Sequence, residues 1–207
     1  MDGTLTQTNE LIFASFNHVM QKYLGKTFTP QEIIALFGPP EEGGLQKVLD
    51  ARHVETALNE LCDFYLRNHA ALARLHDGVE EVLQFLQSKK VLLAVFTGKG
   101  RRTATITLDA FNLTRYFDLV VSGNDVINHK PHPEGIQRIL AHFSLSPSQA
   151  IMIGDGMSDV KASRAAGVKM GAAVWDCYDK ERVLAEKTDF VFQDVRQLHE
   201  WFHHHLN

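Results

Sequence analysis

Two rhythms of apolar and polar positions divide the chain. From Thr8 to His76 the apolar residues recur only at helical spacing: Leu11, Ile12, Phe16, Val19, Met20 and Tyr23 share one face, and Gly25 stops the run. Thr29-Pro30-Gln31-Glu32 opens a second helix, since it joins a capping box to a proline at the first helical position, and Ile33, Ile34, Leu36 and Phe37 follow. Gly38-Pro39-Pro40 breaks the pattern and Glu41-Glu42-Gly43-Gly44 loosens it. Further helical stretches carry Leu45, Val48 and Leu49, then Leu58, Leu61, Phe64, Tyr65 and Leu72. This half reads as an all-helical insert of about four helices.

From Asp77 onward the rhythm changes. Short apolar runs at Val91 to Phe96, Phe117 to Val121, Ala150 to Ile153 and Val168 to Val174 alternate with amphipathic stretches near Val79 to Gln87, Arg102 to Phe111, Pro133 to Phe143 and Ser158 to Ala166. Alternation of that kind predicts an α/β fold, a parallel sheet with helices on both faces. Such sheets hold ligands at the carboxyl ends of their strands. At the far end, Val195, Leu198, Trp201 and Phe202 predict a terminal helix. His203, His204 and His205 close it, where cations suit the negative end of the helix dipole, rather than forming a metal site.

Composition narrows the function classes. With 207 residues and 44% apolar content, the chain is long enough to bury a substantial core. A net charge of -4 with interspersed signs offers no basic face for nucleic acid. Its apolar runs are strand-sized, far below the roughly 20 residues that span a bilayer, so no membrane role is expected. Cys62 and Cys177 are two separated thiols, not a disulfide framework, and no charged apolar leader opens the chain. Together these predict a cytoplasmic protein. The oligomeric state is left open.

The candidate chemistry sits just after the predicted strands. Thr97 and Gly98 follow Val91 to Phe96 and can hold a phosphate oxygen, although Thr-Gly is also an ordinary turn. Lys99-Gly100-Arg101-Arg102 lacks the order of a nucleotide-binding loop. Lys130 stands between His129 and Pro131, in a stiffened approach to a helix. It can neutralise a phosphate and nearby carboxylates or simply be a solvated loop lysine. The strongest signal is Gly154-Asp155-Gly156-Met157-Ser158-Asp159. Two carboxylates where a strand gives way to a helix suit a hard cation such as Mg²⁺; a helix cap is the alternative.

With Asp2-Gly3-Thr4 at the start of the chain, Thr97, Lys130-Pro131 and Asp155 with Asp159 fall in the order of the four motifs of the haloacid dehalogenase superfamily, and the chain resembles that family over nearly its whole length. The helical insert resembles the cap of the phosphoglycolate phosphatase-like subfamily. The resemblance implies a Rossmann-like core at residues 1–7 and 77–207 and a cap at 8–76, with hinges near Thr6 to Thr8 and His76 to Gly78. It implies Mg²⁺-dependent hydrolysis of a small phosphorylated metabolite, phosphoglycolate being one example, through an aspartyl-phosphate. Asp2 would be the acid/base and give a backbone ligand to the metal. Thr97 and Gly98 would bind the phosphoryl group, Lys130 would offset its charge, and Asp155 and Asp159 would hold the metal. Gly38 and Pro39 resemble a cap loop pointed at the substrate, and an acid at Asp2 favours expulsion of an alkoxide over a halide. Arg52 and Arg67 are candidates for a second anionic group on the substrate. Lys22, Lys26 and Lys47 form no pattern diagnostic of a Schiff base.

By the same resemblance the nucleophilic aspartate stands one residue before Met1, at the end of a central strand expected upstream. Two alternatives stay open: a phosphate-binding chain without turnover, and a sugar-phosphate mutase.

Overall fold

The computed structural model of the chain describes residues 1–206. A tight loop at Met1–Thr6, in which the Met1 carbonyl accepts from the backbone of Thr4, Leu5 and Thr6, leads into β1 (Thr6–Gln7). Four helices follow: α1 (Asn9–Leu24), α2 (Pro30–Ile34), α3 (Glu41–Gln46) and α4 (Ala51–Leu72). The capping box is present as read, with Thr29 Oγ1 accepting from the Glu32 amide and Glu32 from the Thr29 amide. The apolar face of α1 closes on α4, burying Leu11, Val19 and Met20 against Leu61 and Tyr65. Each such side chain contributes about 1.5–3 kcal/mol by leaving water.

β2 (Arg74–Leu75) pairs antiparallel with β1, so the helical body enters and leaves through one two-rung ladder. This short strand lies inside the stretch read as helical only; Ala73 already has extended backbone. Beyond it run α5 (Val79–Ser88), β3 (Ala94–Phe96), α6 (Arg101–Ala110), β4 (Leu119–Val121), α7 (Glu134–Phe143), β5 (Ile151–Gly154), α8 (Met157–Ala166), β6 (Lys169–Ala173), α9 (Lys180–Ala185), β7 (Phe190–Phe192) and α10 (Val195–Leu206). The terminal helix buries Val195, Leu198 and Phe202 as its spacing required.

The strands are shorter than the apolar runs. Val91 to Leu93 is no strand, because the Val91 amide returns to the Leu86 carbonyl to close α5 and the Leu93 amide is taken by the Asp118 carboxylate. Phe117 is likewise held in a turn by Thr114. The sheet is also divided. β3 pairs with β4, and β5 with β6 and then β7, all parallel, but among the described residues β3 and β5 do not pair. Their facing edges flank an apolar cavity of about 280 Å³ lined by Val82, Leu86, Val95 and Ile153, among others. α7 crosses β3 so closely that a Cβ on Gly135 would lie 2.1 Å from the Phe96 ring. No described helix is long and apolar enough to cross a membrane.

Candidate active site

The carboxyl ends of β3 and β5, the opening loop and the helical body enclose a cavity of about 460 Å³, within the range of small-molecule sites. Eight of the residues singled out from sequence for catalysis, substrate or metal line it: Asp2, Gly38, Pro39, Thr97, Gly98, Lys130, Asp155 and Asp159. Arg52 and Arg67 do not. Arg52 pairs with Asp50 and Arg67 donates to the Asp63 carbonyl, both on the exposed side of α4. Of the lysines in the helical body, Lys22 is bound to Glu60, and Lys47 donates to the Leu36 carbonyl just past α2.

Three ties build the floor. Thr4 Oγ1 donates to Asp155 Oδ1 at 2.7 Å, and Gly3 packs so tightly against Asp155 that a Cβ would fall 2.4 Å from its carboxylate. Only glycine fits there, and its φ of 75° suits the left-handed turn. Lys130 Nζ lies 2.6 Å from Asp159 Oδ1, at the end of a loop containing the cis Lys130–Pro131 peptide. Asp159 also accepts from the Gly156 amide at 3.1 Å, so the helix-cap reading of this acid is realised alongside its place in the cavity.

Lys99, Glu41 and Asp176 are charged residues of the cavity that the sequence reading missed. Lys99 is buried, with Nζ 3.6 Å from Asp2 Oδ1, 4.0 Å from Glu41 Oε1 and over the Tyr65 ring. Glu41 crosses from α3 to the core, accepting from the Gly100 amide at 2.7 Å and from Thr103 Oγ1 at 2.5 Å. Lys99 could have been found from its position two residues past Thr97 at a strand end. Glu41 carries no such signal, because only the tertiary fold brings α3 to α6.

The charges are tightly matched. Burial works to raise the Asp2 carboxyl, but Lys99, the Met1 amino group and the Thr8 hydroxyl, 2.5 Å away, hold it below the usual range. Burial would lower Lys99, yet Asp2, Tyr65 and Glu41 raise it. Asp155 is pushed up to about 6, first by burial and then by the charge of Asp159. Asp159 feels the same burial and is held down chiefly by Lys130. Such opposed shifts in one cleft mark functional sites.

Among the described residues no three acidic, histidine or cysteine side chains already converge as a metal cage. The donors nevertheless fit a hard cation. They are oxygens, and Asp155 is a carboxylate whose ionised form is short of positive charge. Asp159 is already engaged by Lys130 and Gly156, which leaves it the weaker claim as a ligand.

A loop acid, a strand-end threonine after β3, a lysine on a carboxylate and an aspartate after β5 meet in one cavity, an arrangement able to receive a phosphoryl group. The chain belongs to the haloacid dehalogenase-like hydrolase family, whose pattern matches residues 1–173. Among individual relatives, it is 30% identical to pyrophosphatase PpaX of Anoxybacillus flavithermus and 31% identical to that of Bacillus cereus. Both alignments cover 96% of this chain, and 92% and 91% of the respective relatives. Among solved structures it superposes on CbbY from Rhodobacter sphaeroides in complex with phosphate, with a TM-score of 0.81 at 18% identity over 96% of this chain and 93% of that one. A haloacid dehalogenase-like family protein from Streptococcus pneumoniae gives 0.78 at 24%, over 98% and 95%. At these identities the structural matches establish the fold alone.

Proposed function

We propose that the chain is a Mg²⁺-dependent phosphatase acting on a small phosphorylated metabolite in the cytoplasm. The observation that carries this reading is the convergence of Asp2, Thr97, Lys99, Lys130 and Asp155 on one cavity. Thr97 and Gly98 bind phosphoryl oxygens, and Lys99 and Lys130 offset their charge. Asp155, with the Asp2 backbone carbonyl, would hold Mg²⁺, which when bound would neutralise charge on the phosphoryl oxygens. The acceptor carboxylate expected before Met1 lies outside these 207 residues, so the roles assigned are those of the residues present.

Asp2 illustrates the logic. With its pKa lowered, it is a carboxylate in the free protein, and Lys99 and the Thr8 hydroxyl reduce its basicity. An arriving phosphoryl group competes for Lys99, and withdrawing that cation raises Asp2 toward the protonated form needed by a leaving alkoxide. Substrate binding thereby sets the protonation state that the first step requires.

A phosphate-binding role without turnover is favoured by one observation: the carboxylates on the cavity floor are each committed, Asp2 to Thr8 and Lys99, Asp155 to Thr4, and Asp159 to Lys130. Calorimetric titration of phosphate in the presence of Mg²⁺, beside release of phosphate from a monoester panel, separates the two. In a chain that carries an acceptor carboxylate ahead of Met1, turnover lost with EDTA and in Asp155→Ala and Asp2→Asn supports the phosphatase. Binding without turnover supports the second reading, and absence of both removes the phosphate site altogether.

A further inference from the structure

The cavity wall supplied by the helical body has a composition of its own. It consists of Ile12 and Phe16 from α1, Ile34 from α2, and Leu36, Phe37 and Pro39 from the connection to α3. Asn9 and Glu41 are its polar members, and its one charged group is negative. The positively charged side chains at the cavity, Lys99 and Lys130, both lie on the core side. The cap cations nearest in sequence are turned elsewhere: Lys47 onto the carbonyls of Ala35, Leu36 and Phe37, and Arg52 onto Asp50.

A substrate with a second anionic group, whether a carboxylate or another phosphate, would put that group against hydrocarbon and Glu41. Removing such a charge from water without a partner is costly, and a like charge nearby adds to the cost. A neutral, apolar leaving group instead displaces water from Ile34 and Phe37 and gains by burial. Resting on the phosphatase reading above, we infer that this site selects phosphomonoesters whose leaving group is uncharged and largely hydrocarbon, and disfavours phosphorylated acids and pyrophosphate.

The inference is tested by binding, independently of turnover. Methylphosphonate, phenylphosphonate, phosphonoacetate and methylenediphosphonate are titrated calorimetrically into the 207-residue chain with Mg²⁺. Phenylphosphonate is expected to bind at least about tenfold more tightly than phosphonoacetate, a factor corresponding to about 1.4 kcal/mol. Phe37→Arg, at a position 42% exposed and so tolerant of a long polar side chain, should narrow or reverse that ratio by placing a cation on the cap wall. Phosphonoacetate or methylenediphosphonate binding as tightly as phenylphosphonate overturns the inference alone, provided methylphosphonate binds. Failure of all four overturns the phosphoryl site itself and this inference with it.

Discussion

Replacing Lys130 with methionine should expose how much of the site's stability rests on one ion pair. Lys130 and Asp159 are 2.6 Å apart, with side chains only 12% and 8% exposed, which places the pair among buried rather than surface bridges. Removing one partner of such a pair typically costs about 3–5 kcal/mol, because the other charge is left uncompensated. At about 2–4 °C per kcal/mol for a chain of this size, the melting temperature should fall by about 6–20 °C. The loss should also depend on pH. Without Lys130, burial and Asp155 raise the Asp159 carboxyl, so the folded variant binds a proton more readily than the unfolded chain, and the deficit grows as pH rises from acid to neutral. The measurement is thermal unfolding by circular dichroism in EDTA, run on Lys130→Met, Asp159→Asn and the double variant. Because Asp159→Asn strands Lys130 in turn, the double variant should recover about 2 kcal/mol or more relative to additivity. A loss below about 1 kcal/mol, the scale of an exposed pair, or simple additivity of the two substitutions, would refute the assignment.

Three further outcomes follow from the same geometry. Asp155 is raised to about 6, so in EDTA it should cost stability as pH rises from about 4, where an unfolded aspartate titrates, through 6. Asp155→Asn should flatten that part of the stability profile read by urea denaturation, and an unchanged profile would contradict the shift. Glu41→Ala removes a carboxylate from the start of α6, together with its bonds to Gly100 and Thr103. A loss of about 1–2 kcal/mol in the local docking of α3 is expected, visible as faster amide exchange in residues 35–46, whereas unaltered exchange would mean that other contacts hold the cap. Gly135→Ala drives a methyl group into Phe96 and should destabilise by about 1–3 kcal/mol; because Lys130 Nζ sits 4.9 Å over that ring, binding of inorganic phosphate should weaken with it.

The core chemistry was legible because it is local in sequence. Strand-to-helix junctions announce themselves by an apolar run followed by glycine and a polar residue, and Thr97, Asp155 and Asp159 occupy such junctions in the structure. The helical half was legible for a similar reason, since Thr29 to Glu32 carries both halves of a cap in four consecutive residues. What escaped was non-local. Glu41 matters only because α3 docks on α6, and Lys99 only because Asp2 and Tyr65 arrive from distant segments to make its burial tolerable. β7 and α9 were missed because their apolar stretches are too short to show a period, and β7 becomes a strand through its pairing with β6. Conversely, Val91 to Leu93 has the texture of a strand but spends its amides on Leu86 and Asp118.

The charge balance of the cavity links these parts. Five carboxylates, Asp2, Glu41, Asp155, Asp159 and Asp176, line it against Lys99 and Lys130. Both lysines are already paired. A phosphoryl dianion entering this field alone would take cations from acids that then repel it. A divalent cation at Asp155 would change the sign of the problem, because it would satisfy the carboxylate that burial and Asp159 leave most in need of positive charge. The two ligands would then reinforce each other, and by linkage each would tighten the other's binding by the same factor. On the proposed reading, the acids crowded around Asp155 would make the site refuse a bare anion and accept one that arrives with its metal.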